Sequence, residues 1–369
     1  MPNRRLLTDY RKSDVPERPR LTPAMADARR SVRENWDAAS QQGLLTAGDL
    51  VLIACSGGAD SMALAEAAAF EGPRWGGGSG FADAGAGIRV GAIIIDHGLQ
   101  SGSAEVAAQT AEVLTARGLN PVLVRHVEVG RAGGTEAAAR YARYLAFEAA
   151  AAETGARAIA LAHTLNDQAE TVLLGLARGS GSRSLAGMRA ITGGEKFSYL
   201  RPFLNLTRST TEAACEGAGI DFWQDPMNDD EAYSRVRARK SVLPVLEAEL
   251  GPGVAEALAR TADIAREDSD YLDALSAEIL KAFAKFGPTS ITLPVDLLAQ
   301  QPAAIRNRVI AQAIAVFGTT VTRQHVLAVA ELALDWHGQK PLALPGIRVS
   351  RTGGDIHLKS AKTLTPGAC

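Results

Sequence analysis

An unbroken apolar run, Leu50 to Cys55, meets a glycine pair in Ser56-Gly57-Gly58-Ala59-Asp60-Ser61, and an alanine-rich stretch from Met62 to Phe70 follows at once. That order predicts a buried strand, a tight loop and a helix, which commits this part of the chain to an α/β fold. Two glycines let the backbone approach a ligand closely and turn its N–H groups inward. The helix N-terminus behind them adds a partial positive charge, and the Ser56 and Ser61 hydroxyls add donors. Together these parts suit a pyrophosphate. The pattern G-x-x-x-x-G-K-S/T and its lysine are absent, so the loop is not of the Walker A type. A glycine turn capped by serine and aspartate would use the same residues, so the loop alone does not decide.

The same alternation continues downstream. Val90 to Ile95 and Pro121 to Val129 read as a second and a third strand, with a helix over Ser103 to Arg117 between them. Thr135 opens a long helical pattern that stops at Gly155. Arg157 to Ala162 is the fourth strand, a helix follows from Asn166 to Ala177, and Tyr199 to Phe203 is a short fifth strand. Strands and helices at this spacing imply a parallel, doubly wound sheet covered on both faces. Upstream, Thr22-Pro23 starts a helix and Gly43 ends it. Residues Gly72 to Gly87 are glycine-rich and are expected to form a surface loop.

From Asp225 onward helical stretches dominate to Lys285, and a mixed, proline-punctuated segment runs to Leu358. The expected division is therefore a tail over 1–22, a catalytic domain over 23–225, and a smaller, largely helical C-terminal part over 226–369. The tail has Arg4, Arg5, Arg11, Lys12, Arg18 and Arg20 but no apolar block behind them, so it is read as weakly ordered and not as a signal peptide. No run approaches the ~18 apolar residues of a membrane span. Cys55, Cys215 and Cys369 are too few and too scattered for a disulfide framework or a four-ligand zinc site, which points to a reducing cytoplasm.

A second chemical cluster follows the fourth strand, in His163-Thr164-Leu165-Asn166-Asp167-Gln168-Ala169-Glu170-Thr171. Asp167 and Glu170 lie one helical turn apart on one face. Two carboxylates so placed can hold an ammonium group or a magnesium ion. D-x-x-E at a helix start is also the shape of a capping box.

These motifs resemble those of a known family. S-G-G-x-D-S after a strand looks like the PP-loop of ATP pyrophosphatases, which split ATP between its α and β phosphates. His163 to Met188, with Arg178-Gly179-Ser180-Gly181 and Leu185-Ala186-Gly187-Met188, resembles the H-x-x-D-D-Q-x-E-T…R-G-x-G…L-x-G-M signature of tRNA(Ile)-lysidine synthases. Asp96-His97-Gly98-Leu99 resembles that family's D-H-G-L. Glu136-Ala137-Ala138-Ala139-Arg140 with Arg143-Tyr144 resembles its E-A-A-A-R…R-Y helix, while Arg201-Pro202 and Asp225-Pro226-Met227-Asn228 resemble its R-P and D-P-S-N turns. There are departures. Asn166 stands where the family has an aspartate, Arg235-Val236-Arg237-Ala238-Arg239 lacks the asparagine of R-N-x-I-R, and the glycine-rich loop looks like an insertion.

The resemblance implies a sheet of order 3-2-1-4-5, whose switch point lies between the first and fourth strands. Ligands bind outside the carboxyl ends of strands at such a point. It implies ATP contacts at Ser56, Gly57, Gly58, Ala59, Asp60, Ser61, Asp96 and His97, with Asp60 at magnesium. Catalysis would fall to Asp60, Arg140, His163, Asp167 and Glu170, with Asp167 and Glu170 also holding free lysine. Basic side chains for tRNA would be Arg178, Arg201, Arg235, Arg237, Arg239 and Lys240, with Arg306, Arg308, Arg323, Arg348 and Arg351 further on. A formal net charge of -2 makes such local patches necessary, although a solvated helix face would look alike.

The implied reaction adenylates C2–O of the wobble cytidine in the CAU-anticodon isoleucine tRNA and then replaces AMP by the lysine ε-amine, giving lysidine. The base that deprotonates the amine is Asp167, Glu170 or His163. Other readings share the loop. A sulfur-inserting tRNA thiolase would ordinarily need reactive cysteines or an iron–sulfur cluster, and there is no C-x-x-C. An amide-forming synthetase leaves the basic C-terminal region unexplained, and a non-catalytic RNA-binding protein has no need of an intact Asp60. No membrane partner is expected, and a homodimer is compatible with the chain.

Overall fold

The computed structural model describes residues 21–76, 87–98, 102–128, 135–179, 181–194, 196–225, 230–319 and 322–360. Residues 1–20 of the tail, most of the glycine-rich loop, Leu99, Ser180 and Pro226 to Asn228 fall outside these, as do the side chains of Glu136 and Ala137. The chain divides into two units, 1–262 and 263–369.

The first unit is built on a six-stranded sheet: β1 (Leu50–Cys55), β2 (Arg89–Asp96), β3 (Val122–His126), β4 (Ala158–Leu161), β5 (Ile191–Thr192) and β6 (Ser198–Leu200). Its order is β3-β2-β1-β4-β6-β5, and every pair but β5–β6 is parallel. The five parallel strands thus follow the expected order, with the short β5 added antiparallel at one edge. β1 sits centrally and buries both faces. Val51, Ile53 and Cys55 join one apolar cluster, and Leu50 and Leu52 join another. That two-sided burial is why the strand reads as an unbroken apolar run instead of an alternating one.

Helices cover both faces. The first cluster gathers α1 (Pro23–Gln41), α2 (Ala59–Glu71), α3 (Ser103–Ala116) and α7 (Arg208–Gly217), with Trp36 fully buried edge-on to Trp75 at 6.5 Å between ring centroids. Thr22 caps α1 by accepting from Met25 N at 3.3 Å, with Pro23 in the first turn. The other face takes α4 (Thr135–Thr154) through Phe147, Ala150 and Ala151. A fully buried large apolar side chain contributes about 1.5–3 kcal/mol, so these two layers hold the strand ends rigidly in place.

Beyond Asp225 the chain does not leave this unit. After α5 (Leu165–Ala177) and α6 (Ser182–Leu185) come α8 (Ser234–Arg237), a π-helical turn over Ala238–Val242, α9 (Leu243–Leu250) and α10 (Val254–Phe283). Leu165 and Ala169 of α5 pack with Leu243, Ala255 and Ala259. The division between units therefore falls inside α10 and not near Asp225. The second unit contains more than helices. Its five-stranded antiparallel sheet has the order β7-β8-β11-β10-β9, formed by β7 (Lys285–Gly287), β8 (Ser290–Pro294), β9 (Leu342–Leu344), β10 (Ile347–Thr352) and β11 (Asp355–Ser360). This sheet packs with α11 (Val295–Gln300), α12 (Ala303–Ala315) and α13 (Arg323–Leu334) around Ile291, Leu293, Val309, Val329 and Ile356. Among the described residues no helix is long and apolar enough to cross a membrane.

Candidate active site

A cleft of about 580 Å³ opens at the carboxyl ends of β1, β2 and β4. It is lined by Ser56, Gly58 to Ser61, Asp96, His97, Arg140, His163 and Asp167, so the loop after β1 and the cluster after β4 share one space. The two motifs chosen for their chemistry meet where the topology places ligands.

The loop is held from within. Ser61 Oγ accepts from Ser56 N at 3.1 Å and donates to Gly58 O at 2.9 Å, which pins the turn at both ends. Gly57 has φ +81, and a Cβ there would stand 2.9 Å from Thr110 Oγ1, so both conformation and space require glycine. Trp223 N donates to Gly57 O at 2.9 Å, fastening the loop from the far side.

Asp60 opens α2. Its Oδ1 accepts from Thr211 Oγ1, and its Oδ2 accepts from Arg208 Nε at 3.3 Å. Burial pushes its carboxyl above the usual range, against the opposing pull of Thr211 and Arg208. Asp167 is the third residue of α5 and closes a capping box with Thr164. Its Oδ2 accepts from Thr164 N at 2.8 Å and from Thr164 Oγ1 at 2.9 Å. The box is thus Thr164 with Asp167, and Glu170 has no part in it. Asp167 Oδ1 accepts from the same guanidinium, Arg208 Nη2, at 3.3 Å. Burial works to raise the Asp167 carboxyl, but Arg208, His163 and the Thr164 donors outweigh it and hold it below the usual range.

Glu170 lies one turn further along, 0% exposed, and is not part of the cleft wall. Its Oε1 accepts from Arg239 Nε at 2.9 Å, and Arg239 does line the cleft. Its Oε2 is buried with no partner. Burial, then the nearby Asp167 charge, push its carboxyl up despite Arg239.

His163 lines the cleft with Nδ1 buried and unpartnered, and its pKa is lowered to about 4 by burial and by Arg201, Arg235 and Arg140 against the pull of Asp167. It is neutral at pH 7. His97 is likewise lowered to about 4 by burial and Arg143, which donates from Nη2 to His97 Nε2 at 3.2 Å. Asp96 accepts from Gly98 N at 2.9 Å and from His126 Nδ1 at 3.1 Å, which shapes the turn after β2. Arg140 donates to the Tyr144 hydroxyl at 3.2 Å with its guanidinium carbon 4.8 Å from the ring centroid.

The basic residues separate by environment. Arg201 is 8% exposed and its Nη1 donates to Arg189 O at 2.9 Å and Thr192 Oγ1 at 3.1 Å. It braces the β5–β6 edge, and its burial keeps it from a phosphate, contrary to the expected RNA contact. Arg235 donates to Thr171 Oγ1 at 3.3 Å, and Arg239 is held by Glu170. Arg178, Arg237 and Lys240 are exposed. Arg208, Thr211 and Glu212 belong to none of the sequence motifs, and Arg143 and Tyr144 carry no site role there. All but Thr211 line the cleft. Thr207 before Arg208 reads as a helix cap, but nothing local ties α7 to Asp60 or Asp167.

Among the described residues no group of three or more His, Cys, Asp or Glu side chains forms a metal cage. Magnesium usually keeps waters and substrate phosphates beside one or two carboxylates. Asp60, beside the phosphate loop, fits an ion held in that way, with substrate phosphates among its other ligands. Cys55 and Cys215 are buried, and burial followed by the Asp60 charge pushes the Cys215 thiol up to about 12, which suits packing and not sulfur nucleophilicity.

Comparison with known proteins gives the cleft a context. Residues 31–246 match the PP-loop domain model, and residues 293–357 match the TilS substrate binding domain model. The chain is 57% identical over 312 residues to a tRNA(Ile)-lysidine synthase from Leifsonia xyli subsp. xyli, covering 84% of this chain and 90% of the relative. It is 48% identical to that of Thermobifida fusca over 83% of this chain and 90% of the relative. It is 37% identical to one from Tropheryma whipplei, covering 94% and 98%. A U34-tRNA thiolase from Methanococcus maripaludis, solved with its 4Fe-4S cluster, superposes with TM-score 0.53 at 15% identity over 66% of this chain and 80% of its own, a likeness of fold alone.

Proposed function

The chain belongs to the tRNA(Ile)-lysidine synthase family, and on that premise we propose how its cleft performs the reaction. It is an ATP-using ligase that forms lysidine in tRNA. ATP adenylates the C2 oxygen of the wobble cytidine in the isoleucine tRNA with the CAU anticodon, releasing pyrophosphate. The ε-amine of free lysine then attacks C2 and AMP leaves. The observation that supports this reading is the meeting of the Ser56–Ser61 loop with His163 and Asp167 across one cleft at the switch point.

The pinned loop presents N–H groups and the α2 N-terminus to the pyrophosphate, which favours the charge that develops as the α–β bond breaks. Magnesium, held by Asp60 together with the phosphates, would neutralise charge there. Asp96 and His97, at the end of β2, are placed to receive the nucleoside side of ATP. Asp167, with Glu170 buried one turn behind it, supplies negative charge for the lysine α-ammonium, and the base that takes the proton of the attacking amine is drawn from His163, Asp167 and Glu170. The first unit, which ends at Ala262, carries this chemistry, Arg239 included. Arg178, Arg237 and Lys240, with exposed Arg323 and Arg348 of the second unit, supply phosphate contacts. An anticodon loop already exposes its bases, and the reaction belongs in the cytoplasm, where tRNA and lysine meet.

ATP-to-AMP turnover with the tRNA should require lysine and no other amino acid. Turnover that is indifferent to lysine, or that proceeds without tRNA, would overturn the reading. A second expectation concerns the exposed cations. Changing Arg237 and Lys240 together to alanine should weaken tRNA binding and flatten its log–log salt dependence by ~0.7–0.9 per lost phosphate contact. Filter binding across a salt series checks it, and an unchanged slope marks these side chains as a solvated face.

A further inference from the structure

Arg208 is the point where the two halves of the cleft touch. Its Nε reaches Asp60 Oδ2 and its Nη2 reaches Asp167 Oδ1, each at 3.3 Å. Neither contact is the paired, shorter geometry of a strong arginine–carboxylate bond. By contrast, Arg239 meets Glu170 at 2.9 Å. One guanidinium is therefore stretched between two carboxylates that belong to different elements.

The other oxygen of each carboxylate has a partner supplied by the fold. Asp60 Oδ1 is held by Thr211 Oγ1, and Asp167 Oδ2 is held by Thr164 N and Oγ1. Withdrawal of Arg208 would leave both carboxylates where they are, each with one free oxygen. The arginine's backbone is fixed as well, since Arg208 N donates to Asn166 Oδ1 at 2.9 Å. Its side chain remains 25% exposed in the cleft that holds the phosphate loop. A triphosphate there offers Arg208 more negative charge than two single carboxylate oxygens do, in the bidentate form that guanidinium prefers.

Resting on the reading of this cleft as an ATP and lysine site, we infer that Arg208 is an exchange latch: ATP draws it off Asp60 and Asp167, and the freed Asp167 oxygen then accepts the amine. Arg208 becomes a phosphate-binding residue in the occupied enzyme and blocks the amine subsite in the empty one. Nucleotide and amine then bind with positive coupling, and linkage requires the same factor in both directions.

The test is calorimetric titration of the full chain without tRNA, using lysine and an ATP analogue with a methylene bridge between the α and β phosphates. In the unmodified enzyme lysine should bind at least about tenfold more tightly with the analogue present, and the analogue should gain the same factor from lysine. Arg208→Gln should lose roughly 10- to 100-fold in analogue affinity. Its lysine affinity without nucleotide should match that of the unmodified enzyme with nucleotide. Arg208→Lys should recover part of the analogue affinity. Lysine binding that ignores the analogue overturns the latch alone, and so does Arg208→Gln binding the analogue as the unmodified enzyme does. Lysine failing to bind in every arm removes lysine as co-substrate, and the latch with it. The first comparison needs no variant, so it stands even if a substitution prevents folding.

Discussion

Replacing Asp60 by asparagine is expected to abolish AMP formation, by on the order of 10²–10³-fold or more, while tRNA affinity stays within a few fold. The side chain sits at the mouth of the phosphate loop, where charge must be matched as pyrophosphate leaves, and the exposed cations proposed for RNA lie on other elements. Stability should move the other way. Burial raises the folded carboxyl of Asp60 above its unfolded value, so the ionised form opposes folding at neutral pH. Asparagine removes that opposition, so the variant should melt no lower than the unmodified enzyme at pH 7. The difference should vanish as pH falls below the unfolded aspartate value of about 3.9. Rapid-quench AMP release, filter binding and melting curves on one preparation check all three. Turnover close to that of the unmodified enzyme would remove Asp60 from the chemistry.

Asp167 shows the opposite sign beside the same arginine. Its folded carboxyl is lowered, so the stability it contributes is present above the unfolded value and is lost as pH falls through the folded one. The contrast follows from what the fold donates. Asp167 receives the backbone and hydroxyl of Thr164 besides Arg208, whereas Asp60 receives one hydroxyl and a share of the guanidinium. None of this is visible in D-x-x-E or S-G-G-x-D-S as strings.

What was legible in the sequence was local. The β1–loop–α2 unit could be read because a strand buried on both faces shows as a continuous apolar run, and because a glycine pair marks the close approach behind it. The α1 cap and the stop of α4 at Gly155 were legible for similar reasons. The edge strand β5 was not, since two residues carry no period. The second sheet hid in short strands, one of them beginning at Lys285 and exposed for two of its three residues. Arg208 escaped because its partners are 148 and 41 residues away, and an arginine one place after a capping threonine looks like any helix start. The boundary near Asp225 marked a real change of pattern. Yet composition does not reveal that the next helices return to pack on α5 through Leu243, Ala255 and Ala259.

Glu170→Gln separates a role in amine selection from a role in helix capping. The capping box at the start of α5 is made by Thr164 and Asp167, so losing the Glu170 charge leaves it intact. The usual cost of a lost cap, about 0.5–2 kcal/mol, should not appear. Burial raises the folded Glu170 carboxyl, so glutamine should hold or raise the melting temperature at pH 7. That gain should fade below the unfolded glutamate value of about 4.3. Arg239 is 28% exposed, so its charge stays hydrated when its partner turns neutral. Function is where the loss should fall. In the proposed site Glu170 adds its charge from behind the cleft wall, one turn from Asp167, and its Oε2 has no partner of its own. The lysine requirement should therefore rise on the order of 10²-fold, the range for removing one member of a buried charge pair, with a smaller effect on the ATP requirement. Because adenylation precedes amine attack, adenylated tRNA should accumulate in a rapid-quench experiment when lysine is limiting. A lower melting temperature with a normal lysine requirement would show that Glu170 serves only to hold Arg239 and the helix.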